Sequence, residues 1–483
     1  ASLLSILNIC SAGDSFICSS EIYGGTINLF AFTFKRFGIE CIFVNPSDSE
    51  EEIQKKFKDN TKCVFGETLA NPAIKVLDIE KASVLDSFFN VGGDSITAIY
   101  LVSELKDAGY ELNISDIMQS DTLQELASKI RTKKEATDEQ KDNLSATSNY
   151  EQNEVNGFIP FTPIMRAFLK NSNGTISKDY VHTGVLSVDC NEKTVKNALD
   201  ILVSHHDILR GTFIENGIEI LPSDEYKAYS FASINIDDKD EAIKQLRNTE
   251  LDDKLVKAVF CCTKEDCLLS ITIHHFLIDL VSWEILMKDF TTIVKQLCNN
   301  EEVCLPAKTA SFKYWNEALQ EYSEAMSEEN KEYWKQINKS LDNARSFNAD
   351  AEENQAEEYS FTFSKEISQK LINKVNKTYK TRTNEVLLTA LGLAAGQISG
   401  NPVGIIVESH GRAELHKPIA TEKTVGWFTT CYPVVIENNN NVSTEVVNVR
   451  DTMRSIPKNG VEYLLLNNGF HNNANIKFKL IVK

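Results

Sequence analysis

The first 82 residues contain short apolar runs typical of strands, and these alternate with amphipathic stretches typical of helices. The strand-like runs are 15–18, 41–44 and 61–65, and the helix-like stretches are 26–37 and 49–58. Because strands that alternate with helices usually form a sheet with helices packed on it, this pattern predicts part of an α/β domain.

A different pattern begins near residue 83. Two phenylalanines end an apolar run, two glycines follow, and Ser95 precedes apolar residues that share one helix face up to Gly109. Ser95 therefore lies where a loop becomes a helix, and the unpaired N–H groups and dipole of a helix start favour an anion. The alternative is that Ser95, or Asp94 before it, only caps the helix.

Residues 131–156 are too polar to bury a face, which predicts a linker. Beyond the linker, an apolar alternation leads into His274 and His275, and Asp279 follows four residues later. A third metal ligand at the expected spacing is missing, so we predict no metal site. Two interpretations remain: a structural histidine pair, or one imidazole that acts as a general acid or base while Asp279 orients the loop.

Composition narrows the range of partners. The chain has 483 residues, 42% of them hydrophobic, and a formal charge of −19. Phosphate backbones require a basic footprint, so the charge argues against nucleic acid and anionic membranes as partners. The absence of long apolar runs and of a signal peptide predicts a cytoplasmic protein, and the 11 cysteines are scattered as expected for reduced thiols.

The segment Phe88 to Ser95 resembles the attachment motif of peptidyl carrier domains from nonribosomal peptide synthetases, and the similarity extends over about 83–130. The resemblance implies a small helical bundle in which Ser95 carries 4′-phosphopantetheine, placed there by a phosphopantetheinyl transferase. In this sequence the position of the usual first carrier helix is held by 77–82, so we expect the bundle to lack that helix.

Two stretches near the N-terminus, 19–26 and 66–72, resemble Cys/Met-metabolism enzymes that use pyridoxal phosphate, such as O-acetylhomoserine sulfhydrylases. By this resemblance Tyr23 stacks on the cofactor ring and Asn71 approaches its hydroxyl. No later segment resembles the motif of the Schiff-base lysine, which this chemistry requires. We therefore expect residues 1–82 to be a partial enzyme that is inactive alone.

The spacing His274-His275-x-x-x-Asp279 resembles the signature of the condensation-domain superfamily, and several flanking motifs resemble its epimerization branch. Those motifs are 161–164, 204–210, 282–283, 384–390, 408–412 and 424–430. The resemblance implies an α+β fold of two subdomains, like chloramphenicol acetyltransferase, with a tunnel between them. It also implies that His275 and Glu408 move protons at the α-carbon of a carrier-bound thioester.

The sequence departs from the epimerization pattern at Ser409, which replaces a glycine, and at Ala413, which replaces a glutamate. The resemblance also leads us to expect about a hundred further residues after 461, so we expect the second subdomain to be incomplete. We predict four parts: an enzyme segment at 1–82, a carrier at 83–130, a linker at 131–156 and an epimerization-like domain at 157–483.

The hypothesis that follows is a piece of a nonribosomal peptide synthetase that carries an aminoacyl or peptidyl thioester and epimerises it from L to D. Its partners would be the adenylation and condensation domains of the same assembly line. The alternatives are a condensation domain that forms peptide bonds, a fragment of a pyridoxal-phosphate enzyme, and a catalytically inactive fusion product.

Overall fold

The computed structural model describes only part of the chain. The described residues are 10–19, 34–36, 38–44, 54–58, 60–65, 83–84, 87–89, 93, 95–113, 116–117, 120, 122–132, 150–224, 226–264, 266–345, 362–400, 402–413, 415–417, 419–437, 441–467, 469–472, 474 and 476–478. The chain divides into two compact units, one of 1–97 with 115–129 and one of 98–114 with 130–483.

The first unit contains a parallel sheet of three strands in the order β2-β1-β3. These strands are β1 (Ser15–Ser19), β2 (Glu40–Val44) and β3 (Thr61–Phe65). Phe16 in the central strand is fully buried, and its ring packs edge-on against Phe34 of helix α1 (Phe34–Arg36) at a centroid distance of 5.7 Å. The predicted strands and the predicted α/β character are thus confirmed, whereas Tyr23 and Asn71 lie outside the described residues.

The carrier segment contributes two helices to the described part of the chain, α2 (Ser95–Asp107) and α3 (Leu123–Lys129). Helix α2 begins at Ser95 and ends before Gly109, as the apolar spacing predicts, and Gly109 adopts a φ of +86°. A short antiparallel pair, β4 (Tyr110–Glu111) with β5 (Arg131–Thr132), follows in the second unit. The first two residues of the predicted linker are therefore part of a strand.

Besides that pair, the described part of the second unit contains two main sheets and one small sheet. The first main sheet has the order β10-β11-β12-β7, the second has the order β14-β13-β15, and the small sheet has the order β6-β9-β8. Their strands are β6 (Gly157–Pro160), β7 (Val181–Val188), β8 (Gly211–Ile214), β9 (Gly217–Ile220), β10 (Ser230–Asn235), β11 (Val256–Cys262), β12 (Cys267–His274), β13 (Val403–Ser409), β14 (Thr430–Ile436) and β15 (Ile476–Phe478).

Helices pack on these sheets through apolar faces. They are α4 (Pro163–Asn171), α5 (Glu192–His205), α6 (Lys239–Arg247), α7 (Leu280–Cys298), α8 (Phe312–Ala325), α9 (Glu328–Asp342), α10 (Lys365–Gln369), α11 (Asn376–Tyr379), α12 (Thr383–Ser399), α13 (Val442–Ser455) and α14 (Val461–Leu466). Several begin at a polar side chain that accepts from a free backbone N–H, as Asp279 does for α7 and Ser311 for α8. Among the described helices, none has the length and apolar content needed to cross a bilayer.

The 204–210 motif has a structural role in the second unit. Arg210 is fully buried, and its guanidinium donates to the carbonyl oxygens of Val203 (2.9 Å) and Leu221 (2.9 Å) and to Asp207 (3.0 Å). It also donates to the carbonyl of Val155 at 3.2 Å, at the C-terminal end of the predicted linker. Residues at both ends of that linker therefore make regular contacts with folded elements, while 133–149 lie outside the described residues.

Candidate functional site

His275 follows strand β12 and lies among three aromatic rings. Tyr180 stacks on it at a centroid distance of 4.7 Å, Trp427 lies 4.6 Å away and His182 lies 4.1 Å away. The Nδ1 atom of His275 is 2.8 Å from the carbonyl oxygen of Ile278. Because a carbonyl only accepts, the proton of the neutral imidazole lies on Nδ1, and Nε2 keeps its lone pair.

His274 has a different environment, although it is the adjacent residue. It is buried, its Nδ1 accepts from the backbone N–H of Phe276 at 3.2 Å, and its Nε2 is 3.1 Å from the carbonyl oxygen of Ser177. Burial lowers the pKa of His274 to about 4, so the ring is neutral at pH 7. It lines a cavity of about 260 Å³ that His275 does not line. These contacts are those of a structural histidine.

Glu408 belongs to the second main sheet, where it lies opposite Cys431 on β14. Its carboxylate is close enough to the aromatic cluster to affect Tyr180. Burial, followed by the negative charge of Glu408, raises the pKa of Tyr180 to about 12. Tyr180 thus contacts the His275 ring directly and lies within the electrostatic field of Glu408, which belongs to a different sheet.

Asp279 is buried and holds the loop after His275. Its Oδ1 accepts from the backbone N–H and the hydroxyl of Ser282 at 2.8 and 2.7 Å, and its Oδ2 accepts from the backbone N–H of Phe428 at 3.2 Å. The guanidinium of Arg412, also buried, approaches Asp279 Oδ1 at 3.3 Å. Asp279 therefore connects the loop after His275 to Ser282, Phe428 and Arg412.

Arg412 completes a buried latch, which we define as Asp279, Ser282 and Arg412. Besides Asp279, its guanidinium donates to the carbonyl oxygens of Thr421 (2.5 Å) and Thr424 (2.8 Å) and lies 3.9 Å from the Phe428 ring. The latch joins the loop after His275 to the segment 421–428, which includes Trp427. It thereby fixes two of the elements that surround His275.

The loop between Glu408 and Arg412 requires a glycine at one position. Gly411 has a φ of +69°, and a Cβ atom there would lie 1.7 Å from the carbonyl oxygen of Phe428. The replaced position, Ser409, is instead in regular register, since it pairs with Thr430 at the end of β13. The departure at Ser409 therefore falls where the backbone is an ordinary strand.

His182 is a component of the site that the sequence reasoning missed. Its Nδ1 accepts from the indole N–H of Trp283 at 3.2 Å, so the proton of the neutral ring lies on Nε2. Tyr180, directly before β7, was missed as well, because both residues lie far in sequence from His275. The signal that could have identified His182 is that the other residues on its face of the strand, Gly184, Leu186 and Val188, are apolar.

The Ser95 side chain lies outside the described residues, so only the backbone around it shows whether the site fits a phosphopantetheine group. Gly93 N–H donates to the carbonyl of Phe88 at 2.9 Å, and a Cβ on Gly93 would lie 2.4 Å from the Phe88 ring. This tight turn needs a glycine, and it places Ser95 at the first residue of α2. A helix start suits a phosphodiester, so the backbone fits the group.

One further cluster combines two histidines with a carboxylate. The ligand atoms of His205, His206 and Asp289 lie within 4.8 Å of one another. His206 Nε2 is already 2.9 Å from Asp289, which connects the end of α5 to α7, and the Lys308 ammonium lies nearby on Asp207 at 3.1 Å. The positive charge of the Lys308 ammonium would repel a metal ion bound by these three residues, so we interpret the cluster as a structural contact.

Three family models match this chain. Residues 155–482 match the condensation domain, residues 67–130 match the phosphopantetheine attachment site, and residues 1–87 match the Cys/Met-metabolism PLP-dependent enzymes. The last two matches overlap at 67–87. The condensation-domain match alone covers more than half of the chain.

Curated relatives are large synthases. The chain is 31% identical to bacitracin synthase 2 of Bacillus licheniformis over 423 residues, which is 83% of this chain and 16% of that protein. It is 30% identical to tyrocidine synthase 2 of Brevibacillus parabrevis over 449 residues, which is 87% of this chain and 12% of that protein. The chain thus spans less than a fifth of the length of these relatives.

Solved structures show the same fold. The epimerization domain from the third module of tyrocidine synthetase B superposes with a TM-score of 0.56 at 28% identity, covering 65% of this chain and 77% of that domain. The condensation domain of the Monacolin K polyketide synthase gives a TM-score of 0.51 at 15% identity, covering 68% of this chain and 79% of that domain. The chain therefore belongs to the condensation-domain family of nonribosomal peptide synthetases, and it carries a phosphopantetheine attachment site ahead of that domain.

Proposed function

We propose that this chain inverts the α-carbon of an aminoacyl or peptidyl thioester carried on Ser95, by proton transfer between His275 and Glu408. The observation that supports this most is that Tyr180 stacks on the His275 ring and has a pKa raised in part by the charge of Glu408. An imidazole and a carboxylate on two sides of a substrate are what a two-base inversion requires. The likeness to an epimerization domain at 28% identity points the same way.

His275 has the proton arrangement of a base. Because Nδ1–H donates to the carbonyl of Ile278, Nε2 is the nitrogen on which the neutral ring would accept a proton from the α-carbon. The flanking rings of Tyr180 and Trp427 hold the plane of the imidazole. Glu408 would return a proton on the opposite side of the carbon, and the roles reverse for the reverse reaction.

Negative charge develops on the thioester carbonyl oxygen when the proton leaves, and it needs a hydrogen-bond donor. We assign this role to His182, because its ring lies beside His275 and the proton of the neutral ring lies on Nε2. His182→Ala should lower the inversion rate roughly 10²- to 10³-fold. Trp283→Phe, which removes the bond to His182 Nδ1, should have a smaller effect in the same direction. Single-turnover inversion rates measure both, and equal rates for wild type and His182→Ala would contradict this role.

Ser95 would hold the substrate. The phosphopantetheine group supplies a thiol that binds the amino acid as a thioester and thereby acidifies its α-carbon. When the chain is incubated with coenzyme A and a phosphopantetheinyl transferase, we expect its mass to increase by one such group. Ser95→Ala should abolish the increase, whereas Ser103→Ala, in the same helix, should retain it. Intact-protein mass spectrometry decides, and an unchanged increase in Ser95→Ala would place the group elsewhere.

Peptide-bond formation is the second candidate, since the condensation-domain family includes both reactions. The two are separated by giving the loaded chain an acceptor aminoacyl thioester in deuterated water. Inversion adds solvent deuterium at the α-carbon and leaves the acceptor unreacted. Condensation produces a longer peptide on the acceptor without deuterium.

Of the segments before the catalytic domain, the carrier and the linker have a role in the proposed reaction and the N-terminal segment has none. We assign the carrier to 83–130, the linker to 131–156 and the catalytic domain to 157–483, with adenylation and condensation domains of the same assembly line as partners. The pyridoxal-phosphate resemblance rests on a match to 1–87 alone, and its residues Tyr23 and Asn71 lie outside the described part of the chain. No step of the proposed reaction passes through that cofactor.

A further inference from the structure

Helix α2 from Ala98 onward belongs to the same compact unit as the condensation domain. Three of its side chains contact that domain. The hydroxyl of Tyr100 donates to the carbonyl oxygen of Val281 at 3.5 Å, and the ammonium of Lys106 lies 2.7 Å from a carboxylate oxygen of Glu422. Glu104 forms an ion pair with Lys288 of helix α7.

The two ion pairs have opposite polarity and lie on different sides of the helix. At 3.6 residues per turn, positions 104 and 106 point about 160° apart. Glu104 meets a cation on one side and Lys106 meets an anion on the other. A helix rotated or inserted in reverse would bring like charges together, so the arrangement specifies one orientation.

The pairs differ in strength. Glu104 and Lys288 are 64% and 58% exposed, and an ion pair so exposed contributes little because water screens it. Glu422 is only 9% exposed and Lys106 32%, so their attraction is less screened. Burial and the nearby charge of Glu284 raise the pKa of Tyr100, which keeps its hydroxyl protonated as a donor. Lys106–Glu422 and Tyr100 therefore define most of the contact.

The two segments that α2 touches are the segments joined by the buried latch. Val281 lies between Asp279 and Ser282, and Glu422 lies between Thr421 and Thr424, whose carbonyls accept from Arg412. The same latch fixes the loop after His275 and the segment that includes Trp427. A contact with both segments therefore bears directly on the elements around the base.

We propose that this face is the docking surface for the chain's own carrier helix during inversion. Docking is held by a charge clamp, Lys106 on Glu422 and Glu104 on Lys288, and it braces the latch while the substrate is in place. The statement that docking accompanies inversion rests on the proposed function. The two ion pairs of the clamp do not, because they are present in the folded chain without substrate.

Zero-length carbodiimide cross-linking tests the clamp without any substrate, because it joins only ammonium and carboxylate groups in direct contact. In the full chain, we expect mass spectrometry to find a Lys106–Glu422 cross-link and its loss at about 1 M salt, where charges are screened within about 3 Å. Lys106→Glu and Glu422→Lys should each abolish it, and the double variant Lys106→Glu/Glu422→Lys should restore a cross-link between the two positions. The intrahelical pair Lys331–Glu328 is the internal control and should react in every variant.

An absent cross-link in wild type, or a double variant that fails to restore it while the control pair reacts, would overturn the clamp. In the loaded chain, each single charge reversal should slow inversion roughly 5- to 30-fold and the double variant should recover it. A cross-link in a chain that never inverts its substrate would leave the docking surface intact and refute the proposed function. Inversion without any cross-link would refute the docking surface and leave the proposed function intact.

Discussion

His275→Ala is expected to reduce the rate of α-carbon inversion by about 10²- to 10⁴-fold, the usual contribution of a general base. The His275 ring lies among Tyr180, His182 and Trp427, and its Nδ1–H donates to the carbonyl of Ile278. Glu408→Gln should cause a loss of similar size, because an amide of the same shape cannot accept and return the proton. Rates are measured by hydrolysing the thioester after a single turnover and separating the enantiomers.

A suitable control for this prediction is His416→Ala. His416 lies on the surface, 3.8 Å from Glu321 and outside the aromatic cluster, so its loss should leave the rate near that of wild type. Because two bases act on two faces, the double variant His275→Ala/Glu408→Gln should be no more than slightly slower than either single variant. Inversion at the wild-type rate in Glu408→Gln would show that the carboxylate has no part in the reaction.

Asp279→Ala is expected to lower the free energy of unfolding by about 3–5 kcal/mol, because it leaves a buried charge without its partner. Arg412 is 1% exposed and would keep the Ser282 hydroxyl, backbone carbonyls and the Phe428 ring as neighbours, none of which carries a negative charge. The backbone N–H of Phe428 would also lose its acceptor. Urea unfolding followed by tryptophan fluorescence measures the change.

Two further variants serve as controls for this prediction, the conservative Asp279→Asn and the surface variant Glu328→Ala. The amide of Asp279→Asn retains one acceptor oxygen, so it should lose less stability than Asp279→Ala. Glu328 is 89% exposed where it pairs with Lys331, and its removal should have little effect, as is usual for surface pairs. If Asp279→Ala unfolds at the same urea concentration as Glu328→Ala, then the latch does not stabilise the domain.

The sequence predicted the local features of this molecule well. The helix that begins at Ser95, the strands of the first sheet and the orienting role of Asp279 all follow from spacing, capping and alternation over fewer than about 15 residues. The structure confirms the helix and the strands, and it shows the cap that Asp279 forms for the helix after it. His275 and Glu408 came from resemblance to a family, and the position of Tyr180 beside the His275 ring was not visible in either segment alone.

The features that the sequence did not predict depend on register between distant segments. Arg412 meets Asp279 across 133 positions, and His182 reaches His275 because β7 pairs with β12 in one register. A shift of that register by one residue would turn His182 to the other face of the sheet. The 204–210 motif resembles a functional sequence, yet Arg210 donates to backbone carbonyls and to the side chains of Asp207 and Asn156.

The central claim, inversion by His275 and Glu408, is tested most directly from both directions. The chain is loaded at Ser95 once with the L- and once with the D-aminoacyl thioester in deuterated water, and the configuration and deuterium content are followed in time. We predict that both preparations converge on the same ratio of enantiomers, that each inverted molecule carries one deuterium at the α-carbon, and that Glu408→Gln preserves the starting configuration. Retention of the starting configuration by the wild-type chain from either side would contradict the account.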